Sequence, residues 1–537
     1  MAVETTDSYP REGSWISRLP NELLEKIFMH LRDATIINQS THARDAHSWV
    51  RVCGVCRLWC EVALQCSALW SYISGYTKTA DQIEMMLKRS KQSPLTVHLN
   101  SQSLAIGVEL LDKHDAFQRL AVAVLRLDHE SAGVEDVEMD RRRAEFDATA
   151  LRDLTLNYDW PSGDWLRHPA RMAPFSSGNL PKLSRLQAKA ARFLHVLPFL
   201  RSTVTNLSLC LIDRPCMAQF VGALKAMPLL QALSLSFALP LLDSGYILPP
   251  YHFEYVQHLT LIDLTATCAQ HLASFSFPSN LLRTFHVICR PFDCSRRQEK
   301  EQLEYLPEVA STMRKYLVEP LRTLSIRRVA STMIELCGWS SPHLPTLTSE
   351  TPPVLSLTFT GCQEVDDVHL IKMLLDQFSV VNVKSLHVGN LDLPHSPREH
   401  FHVHKLPGFT LRDYDVVSSR FSRLEYLEVD PTVALGLLDA LMLTYPLDQK
   451  EVMLRVPHRY EEFWEHQLRG VPDEEHQIVE SRKPQLLFPN LKALAIVWVE
   501  SDPLFRNEGR EEFHKEFMKC GAAREIPFDV YLKILPG

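Results

Sequence analysis

The chain has 537 residues, too many for one ordinary core, and its 45% apolar and 23% charged content is that of a folded protein made of several units or one extended array. With 65 acidic against 57 basic residues its formal charge is −8. That balance argues against a nucleic-acid partner, because phosphate binding needs a basic face.

The first fourteen residues read as a polar tail. The opening MAVETTDSYP is acidic where a signal peptide would be basic and then apolar, and no apolar run is long enough to span a bilayer. An intracellular protein, cytoplasmic and/or nuclear and without a membrane partner, is therefore expected. The twelve cysteines lack the dense spacing of a disulfide framework, which fits a reducing compartment.

Residues 15–75 predict a small helical module. Pro20 suits a helix start, since its missing N–H would be unpaired there. Leu23, Ile27 and Leu31 then fall every fourth residue, and Leu24 and Phe28 give a second stripe beside them. The apolar arc is too wide for a helix packed on one side only. Val52, Cys56, Trp59 and Ala63 repeat at helical spacing, and Trp70 closes the segment. Such a module carries more apolar surface than it can bury alone.

The Leu19-Pro20 start, the ELLEKIF helix, the core from Val55 to Trp59 and the terminal Leu69-Trp70 resemble the F-box. The long polar connector from Arg32 to Ser48 departs from that pattern. The resemblance implies a three-helix F-box that docks onto a Skp-type adaptor and, through it, a cullin. It implies Leu19, Pro20, Leu24, Phe28, Val55, Cys56 and Trp59 as the adaptor-facing and supporting residues. Periodicity by itself fits an ordinary bundle core equally well.

Cys53, Cys56, Cys60 and Cys66 have the look of a metal set. On one continuous helix Cys53 and Cys60 would stand about 10 Å apart along the axis, too far to share a zinc with bonds of ~2.3 Å. Buried thiols are the expectation.

Residues 76–147 are expected to form a helical connector and first irregular repeats. Over 148–500 a phrase LxxLxL keeps returning: Leu151/Leu154/Leu156, Val204/Leu207/Leu209, Leu230/Leu233/Leu235, Val256/Leu259/Leu261, Leu282/Phe285/Val287, Leu321/Leu324/Ile326, Val354/Leu357/Phe359, Val383/Leu386/Val388, Leu424/Leu427/Val429 and Leu491/Leu494/Ile496. The starts at 204, 230, 256 and 282 are evenly spaced. A fixed period in this range, with a strand-like alternation at its end, is the mark of leucine-rich repeats, each a short strand with a returning segment. Cys216 to Met227 and Val433 to Leu443 have the apolar spacing of return helices.

The fold expected is thus α/β: a three-helix module followed by an irregular leucine-rich-repeat solenoid, a horseshoe of parallel strands, with 501–537 as a carboxyl-terminal cap or tail. The whole resembles a degenerate fungal- or plant-like F-box and leucine-rich-repeat protein. An ordinary α/β domain of buried strands is the alternative.

No phosphate-binding glycine loop, nucleophile elbow, HExxH helix or kinase set occurs, so no catalytic residue and no cofactor is expected. His400, His402 and His404, with His395 nearby, would share a face on a strand, yet a solvated loop is the commoner outcome. The charged runs Ser295 to Glu304 and Arg459 to Lys483 read as solvated segments.

In such an array the residue between the last two apolar positions points to the inner face. That row is Thr155, Ser208, Ser234, Thr260, His286, Ser325, Thr358, His387, Glu428 and Ala495. His286, Ser325, Thr358, His387 and Glu428 are the candidates to orient an unknown target protein. The resulting expectation is a non-enzymatic substrate adaptor of a Skp–cullin–F-box ubiquitin ligase, with an interaction scaffold of the same architecture as the alternative.

Overall fold

The computed structural model describes residues 19–37, 48–75, 79–128, 146–159, 175, 178–240, 250–278, 281–290, 304–317, 319–330, 333–341, 352–360, 367–390, 420–429, 437, 488, 490–499, 515, 518 and 529–535. The chain divides into two compact units, one of residues 1–246 with 253–256 and the other of 247–252 with 257–537. Among the described residues no helix is long and apolar enough to cross a membrane.

The first unit opens with α1 (Asn21–Ile37), a 3-10 helix (Ser48–Gly54), α2 (Arg57–Gln65) and a 3-10 turn (Ser67–Trp70). The expected middle helix is thus a 3-10 segment. The chain runs from Trp70 almost directly into a sheet whose strands follow sequence order. They are β1 (Tyr72–Ser74), β2 (Leu95–Leu99), β3 (Leu120–Asp128), β4 (Asp153–Asp159), β5 (Arg185–Lys189), β6 (Asn206–Cys210) and β7 (Ala232–Ser236), all parallel. Helices α3 (Ala80–Arg89), α4 (Ser101–Lys113) and α5 (Met217–Lys225) supply return paths. Residues 76–147 therefore carry sheet strands as well as helices, and α5 occupies the return segment predicted from Cys216.

Register explains why these strands form. Ile73, Val97, Ala123, Leu154, Leu186, Leu207 and Leu233 lie side by side, and Leu99, Leu125, Leu156, Ala188, Leu209 and Leu235 make a second buried ladder. A backbone device recurs ahead of β5, β6 and β7: the N–H groups of Ser184 and Arg185 both donate to Arg152 O, those of Thr205 and Asn206 to Ser184 O, and those of Gln231 and Ala232 to Thr205 O. After β5, β6 and β7 the chain turns through a left-handed residue: Ala190 (φ 54), Leu211 (φ 53) and Phe237 (φ 50).

In the second unit the sheet order is β9 (His258–Asp263), β11 (Thr284–Cys289), β14 (Leu355–Thr360), β13 (Met333–Trp339), β12 (Thr323–Ala330), β15 (Ser385–Asn390), β16 (Tyr426–Val429), β17 (Ala493–Val499) and β18 (Asp529–Leu535). The short strands β8 (Tyr251–His252) and β10 (Phe275–Ser276) pair separately. Helices α6 (Thr265–Ser274), α7 (Leu306–Lys315) and α8 (Asp367–Gln377) lie between strands in sequence. The paired carbonyl recurs at Gln257, Arg322, Lys384 and Glu425.

The order departs from the parallel succession expected. Only two residues separate β12 from β13, too few for a parallel crossover, so β13 runs antiparallel to both β12 and β14. Gly338 sits in the ladder between Leu355 and Leu324, where a Cβ would stand 2.8 Å from Leu321. The sheet also continues past residue 500 into β18, beyond the array limit read from the sequence. All ten LxxLxL phrases fall on strands. Val433 to Leu443 is described only at residue 437, while His395, His400, His402, His404 and Arg459 to Lys483 lie outside the described residues.

Candidate functional site

The helical module keeps one of its two α1 stripes for itself. Leu24 and Phe28 are buried, and the Phe28 ring meets Trp59 edge-on at 5.1 Å. They support the module from within. Leu23, Ile27 and Leu31 remain 44%, 40% and 44% exposed, and Val55, between the 3-10 helix and α2, is 58% exposed. Pro20 and Cys56 are exposed, and Leu19 and Trp59 half-buried. Among the described residues of the module the exposed large apolar side chains are thus the Leu23 stripe, Val55 and Leu64 of α2, and of the residues implied by resemblance Leu24 and Phe28 are buried.

The base of this module is fixed to the sheet. Trp70 is buried, its Nε1 donates to Ala63 O at 2.7 Å, Trp49 packs edge-on at 5.2 Å, and the Arg89 guanidinium of α3 lies 4.4 Å over its ring. Arg32 of α1 donates to Ala68 O at 2.6 Å.

Residues 16–74 match the F-box-like family. No curated protein matches the chain. The F-box-like domain supports an F-box protein; it spans the apolar stripe and Trp70, and leaves the sheets to be read on their own geometry.

The row expected to face inward divides between the units. In the first unit Thr155, Ser208 and Ser234 are half-buried and align with exposed Gln187, a position missed in the sequence because Ala188 replaces the last apolar residue of its phrase. His98 extends the row. Burial, and secondarily Arg126, lower its pKa to about 4, and its ring packs on Tyr72 at 4.9 Å.

In the second unit only Thr260 and His286 stay half-buried, and burial lowers the His286 pKa against an opposing pull from Glu335. Ser325, Thr358, His387 and Glu428, expected on an open face, are all buried. Their partners are neighbours in the sheet: Ser325 Oγ lies 3.0 Å from His387 Nδ1, and Tyr426 OH donates to Glu428 Oε2 at 3.2 Å. Thr358 is also out of row. His286 pairs with Ser356, and the row continues through Cys337, Ser325, His387 and Glu428 to Ala495, whereas Thr358 aligns with Glu335 two residues further along. Burial drives the Cys337 thiol up to about 12, with Glu335 adding to the effect. Among the described residues no group of three or more His, Cys, Asp or Glu side chains is placed to hold a metal.

Proposed function

We propose that the chain is the substrate-recognition subunit of a Skp–cullin–F-box ubiquitin ligase, non-catalytic itself. The observation that carries this reading is the α1 stripe Leu23, Ile27 and Leu31, exposed together with Val55 within a match to the F-box-like family. Covering it with a Skp-type adaptor removes apolar area from water at ~25 cal/mol per Å². Leu19, Pro20, Cys56 and Trp59 would border the contact, with Leu24 and Phe28 holding its shape.

The strands, read as an irregular leucine-rich-repeat solenoid, would hold the target. Support comes from the phrase on each of ten strands and from the paired carbonyl repeated ahead of β6, β7, β11, β15, β16 and β17. Within that reading the target face is better placed on Thr155, Gln187, Ser208 and Ser234, which solvent reaches, than on Ser325, Thr358, His387 and Glu428, which it does not. Held there, a target would be concentrated near the conjugating enzyme.

Co-expression of the full chain with a Skp-type adaptor tests the proposal. Wild-type capture that falls more than tenfold in Leu23→Asp and Ile27→Asp, with unchanged melting, supports it. Equal retention in wild type and variants, or no wild-type capture, refutes the docking and leaves an interaction scaffold.

A further inference from the structure

The second unit's sheet ends on β18, which pairs with β17 along its whole length, while among the described residues no strand pairs with its other side. Successive residues of a strand turn their N–H and C=O groups to alternate sides. The Asp529 N–H donates to Lys492 O, next to β17, at 2.9 Å, so Asp529, Tyr531 and Lys533 bond inward and Val530, Leu532 and Ile534 turn their backbone groups outward. These last three also prolong the apolar ladder, Val530 beside Leu494, Leu532 beside Ile496 and Ile534 beside Trp498. Leu494, Ile496 and Val530 are buried, and Asp529 is exposed.

We propose that β18 is a self-pairing edge that joins two copies of this chain, the strands running antiparallel about a two-fold axis at Tyr531. The proposal goes beyond adaptor docking and is tested without the adaptor, so either can fail while the other stands.

The register argues for a second copy as the occupant. Outward-turned residues must meet outward-turned residues, which sets Val530 opposite the partner's Leu532, and the two exchange N–H···O=C bonds in both directions. Each apolar ladder then runs on into the other. The same alignment sets Asp529 opposite the partner's Lys533, and symmetry repeats the pair. Both are inward-bonding residues, so they form the close type of cross-strand pair, with Cα atoms ~4.5 Å apart, where opposite charges attract best. Moving the axis to Val530 or Leu532 sets Asp529 against Tyr531 or Leu535 and loses both charge pairs. A lysine on an edge ordinarily wards off foreign strands, and here it is answered by an aspartate only in the self-register. The first unit's outermost strand, β1, has three residues and no charge, and offers no such alignment.

Sedimentation of the full-length chain alone, at concentrations rising to the high micromolar range, tests the proposal. Wild type is expected to form dimers. Asp529→Lys and Lys533→Asp, which set like charges across the pair, should each associate at least tenfold more weakly. An equal mixture of the two should recover dimers, since a strand basic at both positions then meets one acidic at both, and the double swap Asp529→Lys with Lys533→Asp should recover them within one chain. Circular dichroism checks that the variants fold. Hydrogen exchange on unaltered wild type gives a reading that needs no variant: the amides of Val530 and Leu532 should slow as concentration rises. A wild type that stays monomeric, dimers indifferent to the single swaps, no recovery in the mixture, or exchange at Val530 and Leu532 that ignores concentration overturns the proposal.

Discussion

Strand β5 of the first unit and strand β14 of the second have similar lengths and opposite surroundings. Along β5 exposed and buried residues alternate strictly, whereas β14 is buried at five consecutive positions. The same contrast separates β6 and β7, with one half-open face, from β15 and β16, with almost none. One apolar ladder suffices to make a strand, and what the other face meets is decided elsewhere. Small hydroxyls on that second face therefore carry different meanings. Ser208 is accessible to a partner, while Ser325 is a buried polar group that must be satisfied internally.

Charge placed on the two faces should give the largest divergence. Ser325→Asp forces a carboxylate into a buried site and is expected to cost about 3–5 kcal/mol, while Ser208→Asp stays within about 0.5 kcal/mol. Denaturant midpoints of the two variants report it, and equal shifts would abolish the distinction.

Protonation of His98 gives an effect of similar size on the first unit. The folded ring titrates at about 4 against an ordinary 6.5, so the unfolded state binds more protons between those values. The neutral ring's contribution is complete above pH 6.5 and is lost as pH falls through 4. The loss amounts to roughly 3 kcal/mol, and His98→Gln should flatten stability across that window in a series of melts.

A smaller divergence follows from deletion. His387→Ala leaves the buried Ser325 hydroxyl without its ring partner and should cost about 1–3 kcal/mol, against less than about 0.5 kcal/mol for Gln187→Ala. Smallest, and opposite in sign, is Ala190→Gly. A non-glycine left-handed residue carries about 1 kcal/mol of strain, so the glycine variant should melt slightly higher.

Much of this was legible in the sequence, and the gaps have identifiable causes. The LxxLxL phrase located ten strands because its last two apolar positions make the buried ladders themselves, with the first placed just ahead of the strand. It passed over β5, where Ala188 is too small to register, and β13, where Gly338 occupies a ladder position to make room for Leu321. In α1 the sequence offered two equivalent stripes. The Phe28–Trp59 contact buries the Leu24 side and exposes the Leu23 side, which helical periodicity alone cannot choose. The break between the 3-10 helix and α2 was hidden because apolar spacing suggested one continuous helix, and a single extended residue at Cys56 interrupts it.

The Trp70 anchor has a mechanical corollary. With Arg89 above the indole, Trp49 beside it and β1 beginning two residues later, the first unit has no swivel between its helices and its first strand. Whatever grips the helices therefore sets the bearing of the strands as a handle sets that of a blade. On the proposed function, a target held on those strands would be presented at one distance from the adaptor, and modification would fall on the target lysines that lie at that distance.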